Sequence, residues 1–232
     1  MSTLPHSTIS FPPSATPFPA EWTLADVRHL LGDISLNRIA VMPPIGTAME
    51  SDVERIHRQD GRLFELEFGI LVEKTMGWYE SLIATLVSHL LRTYLDEHDL
   101  GQVLGADGLI KILPGVVKIP DVCFLSWSRF PADRLARTPI PTLVPDLVVE
   151  ILSESNTAEE MRSKLNRYFE AGVRLVWYID PTTRSATSYT SPFNSVCIAS
   201  NESLTGADVL PGFTLSLKSL FEKADRQASK EP

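Results

Sequence analysis

Apolar positions along this chain recur with two periods, and the alternation between them outlines an α/β protein. From about Gly77 to Glu97, Tyr79, Leu82, Ile83, Leu86, Leu90 and Tyr94 fall at helical spacing, predicting one long helix that packs its apolar stripe on a sheet. A shorter stripe of Met161, Leu165, Tyr168 and Phe169 predicts a second helix over about 157–171, and Thr157 with Glu160 stands at capping-box spacing at its start. On either side, Leu147 to Leu152 and Leu175 to Ile179 are continuous apolar runs of strand length. Strand, helix and strand in that order predict a parallel β-α-β unit with both faces covered. Upstream, Leu63 to Glu67 and Ile70 to Glu73 flank Phe68-Gly69 as a hairpin would. Further strands are expected around 102–104, 109–113 and 119–125, with Pro114-Gly115 turning between the last two. The remainder alternates short strands with turns and ends in a short helix near 217–223.

Residues 1–20 are rich in Pro, Ser and Thr without a period, so they bury too little surface to offset ordering and are expected to form a flexible arm. Residues 21–61 read as a helical preface. Its first helix begins near Leu24, Pro43-Pro44-Ile45-Gly46 breaks the chain, and Ser51 with Glu54 suggests the cap of a second helix ending near Gly61. The main domain then spans 62–223, followed by a short flexible tail over 224–232. At 232 residues, 44% hydrophobic and 22% charged, the chain suits one sizeable globular domain plus decoration. No apolar run approaches the roughly 18–20 residues of a membrane span. The first residues lack the basic and apolar regions of a secretory signal, so a cytoplasmic protein is expected. Cys123 and Cys197 both lie in strand-like apolar runs and read as small buried hydrophobes rather than a disulfide framework. Trp177 and Tyr178 read as core.

Composition weighs against some chemistries. With 29 acidic and 21 basic residues the net charge is −8, which repels phosphate backbones unless a local basic groove overrides it. Arg129, Arg134 and Arg137, in a proline-containing loop, could touch phosphates or simply be solvated. The five histidines show no metal-ligand spacing. Hydrolase elbows and phosphate- or dinucleotide-binding glycine loops are absent, and the glycines at 101, 105 and 108 fit turns.

Two carboxylates stand where apolar neighbours would normally exclude them: Asp121 within Ile119 to Leu125, and Glu150 within Leu147 to Leu152. An unpaired buried carboxylate costs at least several kcal/mol, so each needs a cation, an arginine or a shared proton. If their strands are neighbours, the two groups form a hard-oxygen site suited to Mg²⁺ or Mn²⁺. The alternative is a structural pair neutralised by buried arginine or backbone donors. Lys164 falls on the edge of the 157–171 stripe and points inward. There it could orient or deprotonate a water and stabilise charge built up in phosphodiester hydrolysis.

The runs Ile119-Pro120-Asp121-Val122, Val144 to Ser153, Lys164 with Tyr168 and Gly172-Val173, and Val176 to Pro181 together closely resemble the Uma family of restriction-endonuclease-like proteins. The resemblance spans about Leu63 to Phe221. It implies the PD-(D/E)xK nuclease fold, a mixed central β-sheet flanked by helices, with Asp121 and Glu150 as metal ligands. Two departures stand out. The superfamily's lysine two residues after the glutamate is here Leu152, so Lys164 would have to reach in from the following helix. The family's early hairpin, of the form Glu-Leu-x-x-Gly-Glu-Leu-Val, has Ile70 in place of its second Glu. An additional carboxylate would then come from Glu80, beside the long helix's stripe, or from Glu73.

The expected function is that of a Mg²⁺- or Mn²⁺-dependent endodeoxyribonuclease acting on DNA, with catalytic residues Asp121, Glu150, Lys164 and Glu80. RNA remains open as a substrate, and a homodimer is expected by analogy with nucleases that cut both strands. The rival reading is a non-catalytic binding or assembly protein that keeps the nuclease fold, to which the net charge and Leu152 both lend weight.

Overall fold

A computed structural model describes residues 18–19, 21–130 and 138–226. The expectations for the first residues of the arm, for Arg134 and Arg137, and for the end of the tail lie outside them. Helices α1 (Leu24–Leu30) and α2 (Glu50–Asp60) precede a hairpin of β1 (Phe64–Glu67) and β2 (Ile70–Glu73). The long helix α3 (Trp78–Glu97) leads into β3 (Gly101–Leu104), β4 (Ile110–Leu113), β5 (Val116–Lys118) and β6 (Val122–Ser126). Strand β7 (Leu147–Ile151), helix α4 (Ala158–Ala171) and strand β8 (Leu175–Asp180) form the expected parallel unit. The chain ends in β9 (Ser185–Ser191), β10 (Asn194–Ile198), β11 (Ser203–Thr205), β12 (Thr214–Ser216) and α5 (Leu217–Ala224).

The main sheet has six strands in the order β10-β9-β8-β7-β6-β3. One face packs on α3 and α5 through Phe124, Val149, Trp177, Ile83, Val87 and Phe221. The opposite face packs on α4 through Val148, Val176, Tyr178, Met161, Leu165 and Tyr168. Along β7, Leu147, Val149 and Ile151 therefore serve the first core while Val148 and Glu150 face α4, as the period of two in a strand requires.

The single sheet expected from the sequence is in fact accompanied by two smaller ones among the described residues, a two-stranded pair of β11 and β12 and a four-stranded sheet that bears on the site. Of the run 119–125, expected as one strand, only the part from Val122 is strand and lies in the main sheet, and a separate strand, β5, precedes it at Val116–Lys118 in the smaller four-stranded sheet. Strand β5 pairs with β1 and β4 in a four-stranded sheet of order β2-β1-β5-β4, whereas β6 pairs with β3 and β7 in the main sheet. Ile119, Pro120 and Asp121 form the corner between them. Pro120 has no N–H to offer a ladder, and both backbone groups of Ile119 are met by side chains. Ile119 N–H donates to Glu65 Oε1 at 3.3 Å, and Ile119 O accepts from Lys74 Nζ.

Three smaller expectations also change. Helix α2 begins at Glu50 rather than after Ser51, because the Asp52 carboxylate reaches back to Met49 N–H at 2.9 Å and caps the earlier turn. Thr157 caps α4 by accepting Glu160 N–H at 2.9 Å, but the Glu160 side chain turns away to Arg38 and leaves the box half made. Cys123 is buried as expected and burial pushes its thiol up to about 12, whereas Cys197 is exposed because β10 is an edge strand. Among the described residues no helix is long and apolar enough to cross a membrane.

The preface docks on the domain at Gly32, whose backbone abuts the start of α4 and whose carbonyl accepts the Thr157 hydroxyl. Gly32 has φ +80°, and an added Cβ would stand 2.4 Å from Glu160 N. An Ala there combines left-handed strain with a backbone clash, so Gly32→Ala is expected to cost about 2 kcal/mol or more. In a domain of this size that lowers Tm by roughly 4–8 °C. An unchanged melt would show that the preface contributes little to the stability of α4.

Candidate active site

Asp121 and Glu150 come together through sheet register. Antiparallel β6 and β7 pair Val122 with Val149, so the next step along each strand sets Asp121 opposite Glu150 on the α4 face. Both are buried, at 5% and 4% exposure. They line one cavity of about 20 Å³, whose wall also includes Lys164, Lys74, Arg38 and Glu80. That is room for one water or one small ion. Thr75, Met76, Glu80 and Ser153 continue from this cavity into an open groove of about 470 Å³ at the start of α3. The inner site thus opens onto the surface.

Each carboxylate is held by neighbours that offset its burial. Asp121 Oδ2 accepts Ile151 N–H at 2.7 Å and its Oδ1 lies 2.8 Å from Lys74 Nζ. Glu150 Oε1 accepts the Tyr168 hydroxyl, and its Oε2 lies 3.9 Å from Lys164 Nζ. Burial raises the Glu150 pKa; the Lys164 ammonium offsets only part of this, and nearby Asp121 adds to the rise. For Tyr168, burial and then the Glu150 charge raise the hydroxyl well above its ordinary value, so it stays a donor.

Lys164 reaches the site because Met161, Lys164, Leu165 and Tyr168 share the buried face of α4. Burial lowers its pKa, but Glu150 and Glu65 together outweigh that effect and raise it, so the ammonium stays charged. Leu152, at the superfamily's lysine position, instead packs against the α4-side core. Of the two further carboxylates considered, Glu80 is half-buried and lines the cavity. Glu73 forms a bidentate pair with Arg62 at 2.9 and 2.8 Å and lines no part of it. Arg129 is structural rather than solvated: it lies 3.0 Å from Asp146 Oδ1 and donates to the carbonyls of Val144, Pro145 and Gly172.

Several charged groups around the site escape sequence reasoning. Glu65 Oε1 lies 3.3 Å from Lys164 Nζ, and Glu65 Oε2 lies 3.3 Å from Lys118 Nζ. Lys118 in turn lies 2.7 Å from Glu67 Oε2, and Glu67 Oε1 accepts from Arg167 Nε at 2.9 Å. An alternating ladder of charge therefore runs from Glu150 along the interface between α4 and the smaller sheet. Arg38, from the turn at Leu36–Arg38, pairs with Glu160 Oε1 at 2.9 Å and donates to Glu73 O, while its Nη1 has no hydrogen-bond partner among the described residues. The signal for Glu65 and Glu67 was their alternation with Phe64 and Leu66, which reads equally well as a solvent face. Among the described residues, no three His, Cys, Asp or Glu side chains converge into a ready-made cation cage.

A solved chain from Anabaena variabilis ATCC 29413, described as "a putative nuclease belonging to DUF820", superposes with a TM-score of 0.62 at 18% identity, covering 70% of this chain and 91% of its own. Likeness at that identity speaks for the fold, a mixed α+β architecture shared with a protein described as a nuclease. No curated protein matches. A family model described as "Putative restriction endonuclease" matches residues 50–218, most of the chain and every proposed catalytic residue, and the chain accordingly belongs to the Uma2 family.

Proposed function

We propose that this protein is a metal-dependent nuclease that hydrolyses phosphodiester bonds in DNA at the cavity between Asp121 and Glu150. The observation that carries this reading is the opposed placement of those two carboxylates, on one face and in one cavity with Lys164 and Glu80, at the inner end of an open groove. The chemistry of the donors suits Mg²⁺ or Mn²⁺: hard oxygens from Asp121 and Glu150 border a space the size of one small ion, and Glu80, which lines the same cavity without converging on the pair, would have to swing in to serve as the further carboxylate. Such an ion, when bound, would supply Lewis-acid polarisation of a phosphate oxygen and a more acidic water.

The protein's own groups set up the rest. Tyr168 fixes Glu150 by its hydroxyl, and the Ile151 N–H fixes Asp121. Lys164, kept charged between Glu65 and Glu150, acts as a fixed positive group near the scissile phosphate rather than as a base. Arg38 adds a donor, unpaired among the described residues, beside the cavity. The open groove beside α3 receives the substrate backbone. A homodimer would present two such sites to opposite strands.

The purified protein is expected to cut duplex, single-stranded or branched DNA when Mg²⁺ or Mn²⁺ is supplied, and chelation should stop it. Failure to cut any of these removes the enzymatic reading. A scaffold that retains the fold is the second reading, favoured by the engagement of Asp121 with Lys74 and by the net charge of −8. It predicts no divalent-cation heat in calorimetry, whereas the nuclease reading predicts binding that Asp121→Asn weakens.

A further inference from the structure

Lys74 was not among the groups expected at the site, yet its geometry bears directly on it. It follows β2 immediately, its own N–H tied to Leu63 O at 2.9 Å, and its side chain is only 6% exposed. The ammonium donates to Ile119 O and lies 2.8 Å from Asp121 Oδ1, while Asp121 Oδ2 is taken by Ile151 N–H. Both oxygens of Asp121 are therefore engaged. Glu150 differs: among the described residues its Oε2 has only the loose contact at 3.9 Å with Lys164. An incoming divalent ion would find an open oxygen on Glu150 but, on Asp121, an oxygen already neutralised by a buried positive charge.

Two cations sharing one carboxylate oxygen in a poorly solvated cavity repel each other strongly, since the local dielectric is far below that of water. We propose that Lys74 is the resident counter-ion of this site, holding Asp121 in place without metal and competing with the divalent cation for it. This inference rests on the metal reading above and adds a control to it: metal affinity is set by how readily the Lys74 ammonium gives up Asp121. The same contact explains how a chain can bury Asp121 and fold before any ion arrives, because the carboxylate never stands unpaired. Lys74 is thus a positioning residue and acts through Asp121.

The test is calorimetric titration of Mn²⁺ into the full-length wild type, Lys74→Met and Lys74→Arg, with thermal melts of each with and without Mn²⁺. Lys74→Met keeps the length of the side chain and removes its charge. It is expected to bind Mn²⁺ at least about fivefold more tightly, the lower end of usual coupling between sites. It should also melt lower than the wild type without metal and gain more from Mn²⁺. Lys74→Arg, which keeps the charge, should bind no more tightly than the wild type. Equal or weaker binding in Lys74→Met, with the wild type binding, overturns the role of Lys74 and leaves the metal site standing. Absence of binding in both wild type and Lys74→Met overturns the metal site itself. Should Lys74→Met fail to fold, the wild-type chain still decides the matter. The ¹⁵N resonance of its Lys74 ammonium should move as Mg²⁺ saturates the site, and a resonance unmoved at saturation refutes the competition.

Discussion

Glu150→Gln is expected to lower DNA cleavage at least about 1000-fold, the loss of roughly 4 kcal/mol of transition-state stabilisation at a metal-assisted site, while leaving the thermal melt close to that of the wild type. The two halves of this expectation have different causes. Glu150 would lose the charge that holds the cation, so the reaction fails. Folding, by contrast, loses little: burial already raises the Glu150 pKa, so a neutral side chain is well tolerated there. The glutamine carbonyl still accepts the Tyr168 hydroxyl. Asp121 behaves differently. Asp121→Ala would remove both the acceptor for Ile151 N–H and the counter-ion of Lys74, and a buried charge left unpaired costs about 3–5 kcal/mol. An inactive Asp121→Ala could therefore reflect misfolding, and Asp121→Asn with Glu150→Gln is the better pair. Single-turnover cleavage in Mn²⁺ alongside circular dichroism melts measures both halves. Wild-type rates in Glu150→Gln would remove that residue from the chemistry.

The helices α3 and α4 and the strands around α4 could be seen in the sequence because each carries its own periodic stripe, a local signal that tertiary context did not override. Asp121 and Glu150 could be seen because a charge in an apolar strand is anomalous wherever that strand lies. Lys164 could be seen because it sits on the edge of a stripe and points inward. The groups around them left no such trace. In β1, Glu65 and Glu67 alternate with apolar residues, the pattern of a strand with one wet face, but all four residues of that strand are buried. Their polar face is covered by α4, some 100 positions later in the chain, through the contact of Arg167 with Glu67. Lys74 and Arg38 belong to short connections whose destinations are set by the fold alone. The passage from β5 in the smaller sheet to β6 in the main one, across the corner at 119–121, is marked in the sequence only by Pro120, which reads as easily as a tolerated edge residue. Cys197 shows the reverse error: an apolar strand was inferred to be buried, although an edge strand with a solvated face carries the same letters.

The preface illustrates why a boundary in composition need not be a boundary in function. The family model begins at residue 50, yet Arg38, upstream of it, lines the inner cavity and pairs with Glu160 at the start of α4. We infer that residues 21–61 act with the domain over 62–223 as one unit. Cation and carboxylate from the two parts meet beside the site, so a chain shortened to the family-matched region would leave Glu160 without its buried partner.

The largest effect on stability is expected at Glu65, the rung of the ladder that serves two lysines. Glu65→Leu would leave the buried ammonium of Lys118 with Glu67 and that of Lys164 with its loose contact to Glu150, their shared partner gone, at a cost of about 3–5 kcal/mol. For a domain of this size that corresponds to a fall in Tm of roughly 10 °C. Adding Lys118→Met removes one of the two under-compensated charges, and the double variant should recover part of the loss, since the two residues are directly coupled. Acid titration separates an ionic cause from a packing cause. Burial pushes the Glu65 carboxyl up, but Lys118, Lys164 and Lys74 outweigh it and hold its pKa far below the ordinary 4.5. A carboxylate depressed in this way contributes stability that is fully present above its unfolded pKa and is lost as pH falls through the folded value. The difference between wild type and Glu65→Leu should therefore be constant from neutrality to about pH 5 and narrow as pH falls below about 4.5, where the unfolded chain takes up the proton first. Lys118, whose pKa its carboxylate partners raise against the opposing effect of burial, stays charged across this range and adds no slope of its own. Urea unfolding of both chains from pH 7 to pH 3 measures the difference. A gap of constant size down to pH 3 would mean that Glu65 stabilises the fold by shape rather than by charge.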